Sequence, residues 1–122
     1  MQASGTMSEL MIDVIYPTSN YVFYIFREPP KNEVDWGVAR TNAMTLAEAA
    51  NLLMTSPRAR DQDKWMQDAK LLLDVGITAY KAAKAKDLDA ILALNDPLNT
   101  ACVTCHQDYR GNYRRRTPAQ TK

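Results

Sequence analysis

Cys102-Val103-Thr104-Cys105-His106 contains both cysteines and the single histidine of a 122-residue chain. No other stretch limits the molecule so tightly. In a helix, positions i, i+3 and i+4 share one face, so this pentapeptide would project two thiols and an imidazole together. C-x-x-C-H is the attachment signature of c-type haem. The thiols would form thioether bonds to the two vinyl groups of the porphyrin, and the adjacent imidazole would bind the iron. Haem c is therefore the cofactor implied, with Cys102 and Cys105 as anchors and His106 as an iron ligand.

Two other chemistries use the same residues. A redox or disulfide C-x-x-C is the first, but its thioredoxin form accompanies a βαβ pattern, and the chain shows none. Structural zinc is the second; it needs four Cys or His ligands, and three bunched candidates do not close a tetrahedron. A haem-free helical interaction module with a Cys102–Cys105 disulfide is the reading that follows if no haem attaches.

The length predicts one domain spanning 1–122, large enough to bury a core without staples. A net charge of +1 exerts no general pull toward nucleic acid. No apolar run approaches the roughly 20 residues of a membrane span, so membrane insertion is not expected. The start, Met1 to Gly5, lacks the basic and apolar regions of a signal peptide. Haem attachment in bacteria takes place outside the cytoplasmic membrane, so the expected location is the periplasm, with an export signal removed.

Glycine is scarce, alanine is plentiful and β-branched alternation is absent, which predicts an all-helical chain. A first helix runs from about Thr6 to Phe26 on a stripe of Met7, Leu10, Met11, Val14, Tyr21, Val22 and Ile25. Pro17 predicts a kink near 15–17 or two collinear pieces, with Thr18, Ser19 or Asn20 capping the restart. A second helix runs from Glu33–Trp36 to Met54, capped by Asn32 or Asp35, with Ala39, Ala43, Leu46, Ala50 and Leu53 inward. The third is expected over 61–86, approaching 40 Å, on a seam of Trp65, Ala69, Leu72, Gly76, Ala79 and Ala83. The last begins near Asp87, breaks at Asn95-Asp96-Pro97, and restarts to carry Leu98, Cys102, Cys105, His106 and Tyr109. Residues 114–122 are expected to fray. Four amphipathic helices with short loops imply an antiparallel four-helix bundle with covalent haem on its C-terminal helix.

A helical chain of this length, with C-x-x-C-H near its end continuing Gln107-Asp108-Tyr109-Arg110, resembles the class II c-type cytochromes, the cytochrome c′ family. The likeness is specific around the haem motif and one of pattern elsewhere. It implies a periplasmic haem protein that is not an enzyme, with His106 proximal and Arg110 near the imidazole or a haem edge. The family divides over the sixth ligand. Low-spin members bind a methionine of the first helix and carry electrons; others leave iron five-coordinate and open to NO or CO. Glu9-Leu10-Met11 falls where low-spin members have their ligand, so Met11 is the candidate and Met7, one turn away, the reserve. His/Met ligation raises haem potential, although methionine also serves as a core filler. Pro17 and Pro97 depart from the family pattern. Relatives often pair through their first two helices, so the resemblance also implies a homodimer.

Further candidates follow from residue type. Trp36, Trp65, Tyr21, Phe23 and Tyr24 could line a pocket, with Trp65 more naturally a core residue. Arg27, Lys31 and Arg40 could pair haem propionates. Arg110, Arg114, Arg115, Arg116 and Lys122 form a basic patch that could steer an acidic redox partner, or could simply complement the end of the last helix.

Overall fold

A computed structural model describes residues 2–109. It is all-helical, and among the described residues there is no strand. Four rods form an arrangement compatible with a helical bundle. The first rod joins α1 (Met7–Leu10), a π-turn (Met11–Ile15), α2 (Tyr16–Tyr24) and a 3-10 turn (Ile25–Arg27) without interruption. The other elements are α3 (Glu33–Leu53), α4 (Lys64–Lys84), α5 (Leu88–Leu92) and α6 (Asn95–Tyr109). Among the described residues no helix is long and apolar enough to cross a membrane.

The helix boundaries have local causes. Thr6 and Glu9 form a reciprocal capping box at the start of α1. At α3, Asn32 accepts from the Asp35 N–H at 2.8 Å while the Asp35 carboxylate accepts from the Lys31 N–H at 2.9 Å. Both expected capping residues therefore act there. The third helix starts at Lys64 and not at Asp61, because the Asp61 carboxylate caps it, accepting from the N–H groups of Asp63 and Trp65 at 2.9 Å each. At 21 residues it is about 32 Å long, shorter than expected.

Both prolines mark a change in the helix, as the sequence reading expects, but by their own local means. At Pro17 the first rod runs as two collinear pieces joined through a widened turn, with the Tyr16 N–H donating five residues back to Met11 O. Thr18 does not cap a restart. Its hydroxyl donates to Val14 O at 2.7 Å and Ile15 O at 3.2 Å. Before Pro97 the chain turns at 93–94 and α6 begins at Asn95. The Asn95 side chain is spent across the fold, its amide donating to Phe23 O at 3.2 Å.

Alanine faces draw α3 and α4 together, in the most extensive pairing of the fold. Ala39, Ala43, Leu46, Ala47, Ala50 and Leu53 face Trp65, Ala69, Leu72, Gly76, Ala79 and Ala83, all buried. Gly76 sits closest: a Cβ there would stand 2.7 Å from Ala47 Cα. Glu33 pairs with Lys86 at one end, and Trp65 Nε1 donates to Leu53 O at 2.5 Å at the other, so the two helices run antiparallel. α6 packs chiefly on α4, and α2 packs on α3 and α6.

Two residues of one connection hold two distant parts of the chain. Arg58 Nη2 donates to Gly5 O at 3.2 Å, and Arg60 Nη1 donates to Tyr109 O at 3.0 Å. The start of the first rod and the end of α6 thus meet at one end of the molecule. The α2–α3 connection lies at the other end, where Asn95 reaches Phe23.

Candidate functional site

Cys102, Cys105 and His106 lie in the last three turns of α6, all partly buried, below the fully buried Leu98 and Ala101. The helix spans 15 residues without interruption, so the i, i+3, i+4 relation is realised. Both cysteines are free thiols. Burial raises the Cys102 thiol above its ordinary range. Cys105 is pushed up to about 11, first by burial and then by the nearby carboxylates of Asp68 and Asp108.

Asp68 is the least expected member of this site. It lies on α4, is only 4% exposed, and its Oδ2 is buried with no hydrogen-bond partner among the described residues. Its carboxyl is pushed up to about 6, by burial first and then by the neighbouring Asp108. Asp108 in turn pairs with Lys64 at 3.3 Å. Asp68 occupies the stripe of Trp65, Ala69, Leu72 and Val75, and a charge at apolar spacing was the signal available for finding it.

The last turn of α6 is held by a cluster on the α3–α4 connection. Tyr109 donates its hydroxyl to Asp61, and its ring meets Trp65 edge-on with centroids 4.9 Å apart. Arg60 lies 5.9 Å from the same ring. The Tyr109 phenol is raised by burial and by the Asp61 hydrogen bond, which correspondingly lowers the Asp61 carboxyl. His106 lies three residues before Tyr109, so this cluster fixes the turn that carries the imidazole.

Met7 and Met11 are both partly buried and pack against the core beside the buried Leu10. Met11 opens the π-turn, and its N–H donates to Met7 O, so the pair keeps helical spacing. Arg58 ties Gly5, two residues before Met7, to the end of the molecule where Arg60 and Asp61 hold Tyr109. The two methionines and the imidazole are therefore brought toward one end.

The remaining candidates are placed as follows. Trp65 is a core residue, and Trp36, Tyr21 and Phe23 are partly buried against the core. Tyr24 faces solvent, with the Arg27 guanidinium 4.6 Å from its ring centroid. Arg27 and Lys31 sit at the Asn95 end, which about 16 Å of helix separates from His106. Arg40 is partly buried on α3. Arg110, Arg114, Arg115, Arg116 and Lys122 lie outside the described residues, as does the 114–122 tail. Arg58 and Arg60 escaped sequence reasoning, because their partners are 53 and 49 residues away. Compared with models of known protein families, with curated proteins and with solved structures, the chain matches none.

Proposed function

We propose that the chain is a periplasmic one-electron carrier of the cytochrome c′ type, holding one covalent haem c on the last helix of an antiparallel four-helix bundle. Cys102 and Cys105 serve as thioether anchors, His106 as proximal ligand and Met11 as distal ligand. The reading is carried by the adjoining positions of two thiols and the lone imidazole on α6, partly buried against α4. The donor set fits the group: two free sulfurs for two vinyl positions, and one nitrogen beside them for iron.

The same residues suit thiol–disulfide chemistry poorly. A nucleophilic C-x-x-C lowers its thiol pKa, often at a helix N-terminus. Here the motif lies toward the C-terminal end of α6, and both thiols are raised.

Bound haem would supply reversible one-electron transfer between Fe(III) and Fe(II). The chain's share is mechanical and electrostatic. The sulfurs tether, and the Tyr109–Asp61–Arg60 cluster holds the turn that presents the imidazole. The alanine-rich interface of α3 and α4 gives a rigid wall. A thioether from Met11, with Met7 in reserve, would favour the ferrous state and raise the potential. Arg110 and the basic residues after it would steer an acidic redox partner, with an on-rate that falls as salt rises.

The test is production with the haem-attachment machinery, followed by mass and visible spectra in both oxidation states. Covalent haem and a weak far-red sulfur-to-iron band are expected, and Met11→Ala should leave five-coordinate iron. A colourless chain of bare mass overturns the proposal. High-spin ferrous protein that binds CO readily would instead assign an open distal site for NO or CO.

A further inference from the structure

We infer that Pro17 is a positioning residue: by pinning the π-turn Met11–Ile15, it seats Met7 and Met11 side by side on the flank of Leu10. The inference rests on the haem reading above, and it says what makes a methionine of the first rod available as a ligand.

The burial pattern shows the register. In the second half of the rod Ile15, Thr18, Ser19, Val22 and Ile25 point inward, at ordinary helical spacing. Continued upstream at that spacing, the inward positions would be Met11 and Ser8. The structure instead buries Leu10 and leaves Ser8 exposed, with Met7 and Met11 partly buried on either side of Leu10 in sequence. Leu10 and Ile15 are five apart. One extra residue is accommodated in the π-turn, and everything before it is turned by about 100° relative to a straight helix.

Pro17 supplies the cause. In a regular helix its nitrogen would donate to Asp13 O; it has no N–H, and its ring would crowd that carbonyl. The wider turn relieves the crowding, closed by the Tyr16 N–H on Met11 O. Thr18 Oγ1 adds bonds to Val14 O and Ile15 O, which fasten the turn to the first residues of α2.

The competing straight register is close in apolar burial. Met11 would take the place of Leu10, a swap of similar volume. Ile12, now 64% exposed, would take the place of Met11. Only Ser8 replacing Met7 would be a clear loss. Hydrophobic patterning alone therefore holds the register weakly, and the proline decides it. In the straight register Met11 would be driven into the core and Met7 carried to the opposite flank. π-turns inside helices often occur at functional sites, as this placement would require.

The test compares three haem-loaded chains by visible spectrum: the parent, Pro17→Ala, and Pro17→Ala with Asp13 deleted. Pro17→Ala should lose the sulfur-to-iron band as the rod straightens. Deleting Asp13 removes the extra residue, returns Leu10, Met7 and Met11 to their original faces in a straight helix, and should restore the band. A band that survives Pro17→Ala overturns the inference, and so does a band that the deletion fails to restore. If the parent itself lacks the band, the ligand reading has failed, and the register is read by peroxide oxidation with peptide mapping. Met11 should then oxidise several-fold more slowly in Pro17→Ala than in the parent, and equal rates overturn the inference.

Discussion

Tyr109 meets Trp65 edge to face, ring centroids 4.9 Å apart, while its hydroxyl donates to the carboxylate that caps the first turn of the helix carrying Trp65. One aspartate thus links the start of α4 to the end of α6. Tyr109→Phe keeps the ring contact and removes the hydroxyl. A lower thermal midpoint is expected, together with faster amide exchange in the last turn of α6. Unchanged exchange at Cys105 and His106 would show that the ring alone holds the turn.

Gly76 sets how closely α3 and α4 approach. A methyl there would stand 2.7 to 2.9 Å from the backbone and Cβ of Ala47, and backbone cannot rotate away. Alanine's better helix propensity, about 1 kcal/mol, offsets only part of the strain. Gly76→Ala is expected to destabilise by about 1–3 kcal/mol, measured by urea unfolding. A stabilised variant would mean that the two helices separate at little cost.

Asp68 gives a pH dependence with a definite sign. Its carboxyl titrates near 6 when folded, above the ordinary 3.8. Between those values the folded chain holds a proton that the unfolded chain has released. Stability attributable to this group is full below about 4, falls as pH rises toward about 6, and is flat above. Asp68→Asn should abolish that slope and raise stability at pH 8 by about 1–3 kcal/mol. Equal gains at pH 4 and pH 8 would show that ionisation is not the cause.

The turn after α4 is a Schellman motif with a lysine where glycine is usual. Lys86 has φ 56°, with its N–H on Ala83 O at 3.1 Å and the Asp87 N–H on Ala82 O at 2.8 Å. Left-handed backbone costs a non-glycine residue roughly 1 kcal/mol. The ion pair with Glu33 lies in solvent and offsets little of it. Lys86→Gly should therefore stabilise the protein by up to about 1 kcal/mol in chemical unfolding. A destabilised variant would reverse that ranking of the backbone and the ion pair.

The parts of this fold that could be read from the chain are those set by near neighbours. The inward stripes of α3 and α4, the Asn32–Asp35 cap and the spacing of Cys102, Cys105 and His106 all depend on residues within a turn or two. A single periodicity does not run through the first rod, because a turn with an extra residue before Pro17 shifts every position upstream of it. The same shift hides Ile15, whereas Thr18 and Ser19, polar and expected as caps, are buried on the inward face. Asp68 is not singled out by the sequence reading, although it interrupts an apolar stripe. Arg58, Arg60 and Asp61 act on residues about 50 positions away, and nothing local marks such partners.

Arg58 and Arg60 also bear on the order of assembly. The α3–α4 hairpin closes a short loop, whereas Gly5 and Tyr109 must each travel roughly half the chain to reach this connection. Short loops close sooner, so the hairpin has a head start and the outer rods settle onto it. Until α6 settles, its sulfurs stand in open water, and that interval is when the proposed haem attachment would find them reachable.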